Sequence, residues 1–259
     1  MSELEALLFD VDGTLAETEE VHRAAFNAAF EGAGLDWHWS SALYGELLAV
    51  TGGKERIRHY IDLHRPDFRR PADLDGFIAE LHQAKTAVYT RTVAGGGVPL
   101  RPGVRRLLDE ARRADLRLAI ATTTSPDNVT ALLEHSIDPK APDWFEVIGA
   151  GAMVPAKKPA PDIYDYVLRE MDLAPAACLA FEDSANGVLS ARAAAIPTLV
   201  TVSHYTQGQS FDGAVLVLDH LGEPDRPFTV IAGDAGPASY VDLALLRRVH
   251  ADGAAGPRV

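Results

Sequence analysis

Three short apolar runs in this chain each stop at a cluster of carboxyl or hydroxyl residues, and this pattern narrows the possible folds more than any other feature. Leu4-Glu5-Ala6-Leu7-Leu8-Phe9 ends in Asp10-Val11-Asp12-Gly13-Thr14, Leu116 to Ala121 ends in Thr122-Thr123-Thr124-Ser125, and Ala177 to Phe181 ends in Glu182-Asp183-Ser184. A further run, Thr198 to Val202, follows Pro197. Runs of this length and content read as buried strands. Helix-period patterns over 103–114, 126–135, 162–171 and 185–195 separate them. Strand alternating with helix predicts an α/β fold built on a doubly wound parallel sheet. The C-terminal ends of such strands face one crevice, where ligands bind, so the polar clusters are expected to meet there.

From about Glu17 to Thr92 the rhythm breaks. Helix-period apolar positions such as Val21, Ala24, Ala25, Ala28 and Ala29 recur without a convincing strand. Residues 17–97 therefore read as an inserted helical domain, and 1–16 with 98–259 as the α/β core. Gly95-Gly96-Gly97-Val98-Pro99 is flexible enough to serve as the return hinge. Beyond Leu221 the signals weaken, and Ala251 to Pro257 reads as a frayed end.

Asp10 and Asp12 flank Val11 where a strand ends, so their carboxyl groups start close together and repel. One can stay ionised as a nucleophile or metal ligand while the other, partly protonated, serves as an acid and then a base. Glu182 and Asp183 bring four carboxyl groups into one crevice, an arrangement that requires a cation. Oxygen-only ligands with a phosphate partner select Mg²⁺ over zinc or copper. Thr122 can donate a hydroxyl hydrogen bond to a phosphoryl oxygen, and Lys158 in Lys157-Lys158-Pro159 can neutralise its charge. Lys157 itself reads as surface charge.

The formal charge of −13 argues against attraction to nucleic acid or an anionic membrane. A small anion meets the same repulsion unless local cations reverse it, which adds weight to the lysines and the metal. The single cysteine, Cys178, excludes an internal disulfide, fits a reducing compartment and reads as a small buried hydrophobe. No apolar run reaches membrane-spanning length, and the opening residues lack a signal peptide's basic start. The expected setting is the cytoplasm, with a single chain as the working unit.

Phe9-Asp10-Val11-Asp12-Gly13-Thr14-Leu15, Thr122, Lys158-Pro159 and Glu182-Asp183-Ser184, in that order, resemble the four motifs of the haloacid dehalogenase-like hydrolases. The resemblance implies a Rossmann-like core, Mg²⁺ and an aspartyl-phosphate intermediate. Asp10 would be the nucleophile. Asp12 would be the acid and base, its backbone carbonyl also reaching the metal. Thr122 and Lys158 would hold the phosphoryl oxygens, and Glu182 and Asp183 would anchor Mg²⁺ with Asp10. The acid at Asp12 sets the chain among the phosphate-handling members, away from the true dehalogenases.

The insertion is similar to the helical cap of the beta-phosphoglucomutase and phosphoglycolate phosphatase branch. That likeness implies substrate contacts from Glu17, Thr18, His22, Thr51, Gly52, Gly53 and Lys54, with Thr124 beside Thr122, and Lys54 free to hold a second phosphate. Ala16 to Arg23, Thr51 to Arg56 and Phe228 to Asp234 resemble CbbY-type phosphatases of Calvin-cycle organisms, which implies the small sugar phosphate xylulose 1,5-bisphosphate as substrate. A sugar phosphomutase uses the same two aspartates and is the nearest competing reading. Phosphonoacetaldehyde cleavage through a Schiff base at Lys54, a phospho-acceptor signalling module and a noncatalytic binding protein are the remaining ones.

Overall fold

The strand that carries the first acidic turn, β1 (Ala6–Phe9), is buried along its whole length between two parallel neighbours. The computed structural model describes residues 3–96, 98–151 and 153–254. Along the chain follow α1 (Glu19–Gly32), α2 (Ser41–Leu47), α3 (Gly53–His64), α4 (Leu74–Ala94), α5 (Val104–Arg113) and β2 (Arg117–Ala121). Then come α6 (Pro126–Leu132), β3 (Val147–Gly149), α7 (Asp162–Met171), β4 (Cys178–Glu182) and α8 (Ala185–Ala193). The chain closes with β5 (Thr198–Thr201), β6 (Leu216–Leu218), β7 (Val230–Gly233) and α9 (Leu243–Ala254). The seven strands order as β3-β2-β1-β4-β5-β6-β7, all parallel except β7. The expected α/β doubly wound architecture with a helical insertion is what the chain forms.

Alternation along the strands explains why their runs are apolar throughout. Leu7, Phe9, Leu118, Ile120, Leu179 and Phe181 pack on one face against α5, α6 and α9. Ala6, Leu8, Ala119, Ala121, Cys178 and Ala180 pack on the other against α7 and α8. Both faces are covered, so neither set of positions can be polar. Small side chains on the second face let α7 and α8 sit close, with Ile163, Tyr164 and Val167 filling the space.

Helices α1–α4 bury an aromatic cluster of their own: Phe26, Phe30, Trp37, Trp39, Tyr44 and Tyr60. Phe26 and Trp39 lie 4.6 Å apart between ring centroids, and Phe30 meets Trp37 edge-on at 5.4 Å. The outgoing and returning segments run side by side, Ala16 bridging Leu100 and Arg101 N donating to Leu15 O at 2.9 Å. Gly97, in the expected return hinge, lies outside the described residues.

Two expectations are corrected. The chain beyond Leu221 is not weakly structured: β7 extends the sheet and α9 buries Leu245, Leu246 and Val249 in the main core. The expected frayed end is helical through Ala254, and its last part, 255–257, lies outside the described residues. No helix among the described residues is long and apolar enough to cross a membrane.

Candidate active site

The parallel register sets the ends of β1, β2 and β4 level with one another, with Phe9 opposite both Ile120 and Phe181. Asp10 is therefore level with Ala121 and Glu182, Thr122 follows one position beyond, and Asp10 N is fixed to Phe181 O at 3.0 Å. Lys158, carried by the segment before α7, joins them. Its ammonium donates to Asp10 Oδ1 at 2.7 Å, to Glu182 Oε1 at 2.6 Å and to Ala121 O at 2.8 Å. Tyr164 OH donates to the same Glu182 oxygen at 2.5 Å. Glu182 is 0% exposed and Lys158 4%, so this is a buried charge cluster.

Asp10, Glu182 and Asp183 each offer a carboxylate oxygen, and the three oxygens lie within 4.8 Å of one another. Burial, then the charges of Glu182 and Asp12 against Lys158, pushes Asp10 up to about 7. Burial together with Asp10 and Glu182 raises Asp183 well above the usual carboxylate range. Burial opposes the charge of Lys158, but Asp10 and Glu182 outweigh it and hold the ammonium protonated. Three buried carboxyl groups thus face one lysine. Among the described residues, Glu182 Oε2 has no hydrogen-bond partner, nor have Thr14 Oγ1 and Ser125 Oγ. An all-oxygen donor set with surplus negative charge and an unpartnered carboxylate oxygen fits an oxygen-preferring divalent ion such as Mg²⁺.

Asp12 turns the other way. Its Oδ1 accepts from Thr18 Oγ1 at 2.5 Å and lies 2.9 Å from His22 Nε2, while His22 Nδ1 lies 2.7 Å from Lys85 Nζ. His22 stacks on Tyr89 with ring centroids 4.2 Å apart, and Lys85 lies over the Phe26 and Tyr89 rings. Burial would raise Asp12, but the charge and hydrogen bond of His22, aided by Thr18 and Lys85, hold it below the usual carboxylate range. Burial lowers Lys85 to about 8 against the pull of Asp12 and Glu19. Asp12 lines the same cavity as Asp10 and Asp183, but its carboxylate is not one of the three oxygens gathered by Asp10, Glu182 and Asp183. Of the aspartate pair it is Asp10, not Asp12, that is raised.

A cavity of about 540 Å³ opens over these groups. Asp10, Asp12, Thr122, Thr124, Lys158 and Asp183 line its floor, and His22, Thr51, Gly52, Gly53 and Lys54 line the side formed by the insertion. Thr122 Oγ1 accepts from Thr124 N at 3.4 Å, and Asn128 Nδ2 fixes Thr124 Oγ1 at 3.0 Å. Glu17 and Thr18 do not line the cavity. Thr18 is 0% exposed and serves Asp12, while Glu17 faces Arg101 at 3.5 Å and the His204 amide. Lys157 is corrected from surface charge to cavity wall, its ammonium 3.7 Å from Glu55 Oε1 of α3.

Sequence reasoning missed Lys85, Arg56, His82, Asn186 and Lys157 at the cavity. It also missed Arg101, whose buried guanidinium donates to the carbonyls of Gly13, Thr201, Val202 and Asp219 and so ties the acidic turn to the ends of β5 and β6. Lys85 and His22 are 63 residues apart, and no local pattern pairs them.

Strand-end carboxylates, a hydroxyl and a lysine around a metal-competent pocket define a phosphoryl-handling hydrolase. Residues 4–195 match the family described as hydrolase, haloacid dehalogenase-like hydrolase, and the chain belongs to that family as an enzyme that hydrolyses phosphoric monoesters. It is 48% identical over 250 residues to the plasmid-borne protein CbbY of Cupriavidus necator, covering 95% of this chain and 97% of that one. It is 53% identical over 212 residues to protein CbbY of Rhodobacter capsulatus, covering 82% and 91%. Among solved structures it is similar to CbbY from Rhodobacter sphaeroides, solved with xylulose-(1,5)bisphosphate and with phosphate, at 47% identity and a TM-score of 0.77, covering 84% of this chain and 94% of that one.

Proposed function

We propose that the chain is a Mg²⁺-dependent phosphatase acting on xylulose 1,5-bisphosphate through an aspartyl-phosphate on Asp10. The observation that carries the reading is the buried Asp10–Lys158–Glu182 cluster at the level strand ends, facing the cavity beside Asp183. The likeness to a CbbY solved with that bisphosphate supports the substrate.

Asp10 Oδ2, the oxygen not taken by Lys158, attacks phosphorus as the bond to the sugar oxygen breaks. Lys158 and Thr122 hold phosphoryl oxygens, and Asp12 delivers a proton to the departing sugar oxygen. The proton that Asp12 gives up in this step is the one it regains from water in the next, and His22 Nε2, 2.9 Å from Asp12 Oδ1, orients the carboxyl group for both transfers. In the second step Asp12 takes a proton from water, whose oxygen attacks phosphorus and returns Asp10 as a carboxylate with release of inorganic phosphate. Splitting one displacement in two is the gain of covalent catalysis. Asp10, Glu182, Asp183 and the Asp12 backbone carbonyl would hold Mg²⁺, which when bound would supply neutralisation of the phosphoryl oxygens. Residues 17–97 act as a cap that excludes water during the first transfer, with His22 and the Thr51–Lys54 turn facing the sugar.

The test is phosphate release with Mg²⁺ from xylulose 1,5-bisphosphate, ribulose 1,5-bisphosphate, phosphoglycolate and glucose phosphates. The first is expected to give the highest kcat/KM, and chelation is expected to abolish turnover. Isomerised sugar phosphate in place of inorganic phosphate would make the chain a mutase.

A further inference from the structure

Two consecutive lysines in this chain send their ammonium groups to different partners. Lys158 is committed to Asp10, Glu182 and Ala121 O. Lys157 reaches the insertion, where its one ion pair among the described residues, with Glu55, is 3.7 Å long, and its side chain is 20% exposed. A saturated charge-assisted bond is about 2.7–2.9 Å long. The Lys157 ammonium is therefore held near the insertion by a partner it can exchange.

Glycine makes that reach possible. A Cβ at Gly52 would come within 2.7 Å of Lys157 Cδ, so the lysine stem crosses the bare turn that precedes α3. A Cβ at Gly53 would come within 2.5 Å of His82 Nε2, so the imidazole packs against the next residue of the same turn. Lys54, in the first turn of α3, lines the cavity, and its ammonium forms no hydrogen bond or ion pair among the described residues. Burial first, then the charges of Lys85, Lys54 and Lys157, lowers His82 to about 3. In a chain of charge −13, a positive patch on the wall of a phosphate-handling cavity is matched to a second anion.

We infer that Lys157 is a specificity-determining residue that leaves Glu55 and, with Lys54, binds the distal phosphate of a doubly phosphorylated sugar. The inference rests on the reading of Asp10 as a phosphatase centre. A phosphate dianion carries about twice the charge of a carboxylate and offers more acceptor oxygens, so it displaces Glu55 from Lys157. One lysine comes from the segment that also carries Lys158 and the other from the insertion, so the distal phosphate joins the two sides of the cavity. A monophosphate leaves Lys157 paired with Glu55.

Binding is measured by calorimetry on the Asp10→Asn protein with Mg²⁺, using xylulose 1,5-bisphosphate and the two xylulose monophosphates. In this background Lys157→Met is expected to lower the ratio of bisphosphate to monophosphate affinity by about tenfold or more, the value of a charge-assisted bond. Glu55→Gln, which frees the lysine, is expected to raise that ratio. A purely structural Lys157–Glu55 staple predicts that both variants weaken all three ligands alike, and that result overturns the inference. So does a ratio unchanged in Lys157→Met. If Asp10→Asn alone binds the bisphosphate no better than the monophosphates, the bisphosphate reading itself fails and this inference with it.

Discussion

Replacing Lys158 by Met keeps most of the buried stem and removes only the ammonium. Three acceptors lose their donor: Asp10 Oδ1, Glu182 Oε1 and Ala121 O, previously at 2.7, 2.6 and 2.8 Å. Glu182 is 0% exposed and among the described residues keeps Tyr164 OH as its one side-chain donor, so water cannot replace the lost charge. Removing one partner of a buried ion pair costs about 3–5 kcal/mol, because the remaining charge stays desolvated. With a urea m-value of about 3 kcal/mol/M, the midpoint falls by about 1–1.7 M. The assay is urea unfolding followed by far-UV circular dichroism, once with chelator and once with saturating Mg²⁺. Mg²⁺ at about 100 times its dissociation constant stabilises any folded state that binds it by about 2.7 kcal/mol. It is expected to recover more than this in the variant, where it is the remaining cation beside Asp10 and Glu182. A midpoint shift under about 0.3 M with chelator would refute the reasoning, since Lys158 would then not be compensating buried carboxylates.

Gly187→Ala should destabilise although it improves helix propensity by about 1 kcal/mol, because the new Cβ lands on the Glu182 carboxylate and overpacking costs about 1–3 kcal/mol; a raised Tm would contradict this. The His82 pKa is lowered in the folded state to about 3 from 6.5, so its neutral form contributes stability that is complete above pH 6.5 and lost as pH falls toward 3. At pH 5.5 the penalty is about 1 kcal/mol, at most 1.36 per unit, and His82→Asn should lose that part of the acid slope in denaturant titrations at pH 7.5 and 5.5. Burial pushes the Cys178 thiol up to about 12, so a disulfide reagent should titrate no thiol in the native protein and one after unfolding.

The parts of the site legible in the sequence are those that the strand-end rule places. Asp10, Thr122 and Glu182 end apolar runs, and a parallel sheet sets such ends level, so their meeting followed from pattern alone. The insertion showed itself by a change of period from strand to helix. The missing parts depend on contacts no local pattern encodes. Beside Lys158, Lys157 resembles any solvated lysine, and only the bare Gly52 turn lets it cross to α3. Strands β3 and β6 are three residues each, too short for a period to register. The α9 signal was present in Leu243, Leu246 and Val249, which recur every three residues, but the Gly-rich tail beyond it masked the helix.

Asp10 and Asp12 are separated by one residue yet are driven in opposite directions, and the cause lies in which part of the chain serves each. Lys158 and Glu182 of the α/β core lie against Asp10, and burial, with the charge of Glu182, raises it. Thr18, His22 and Lys85, which precede or lie on α1 and α4, surround Asp12 and hold it ionised. Moving α1 and α4 away from the β1 end would remove His22 and Lys85 from Asp12 together, since the pair is linked at 2.7 Å and packed on Phe26 and Tyr89. The protonation state of Asp12 therefore depends on the insertion being seated over the sheet, whereas the carboxylates around Asp10 depend on the sheet alone. Under the proposed mechanism the proton transfers belong to the closed arrangement, while a divalent ion can be held by the sheet in either one.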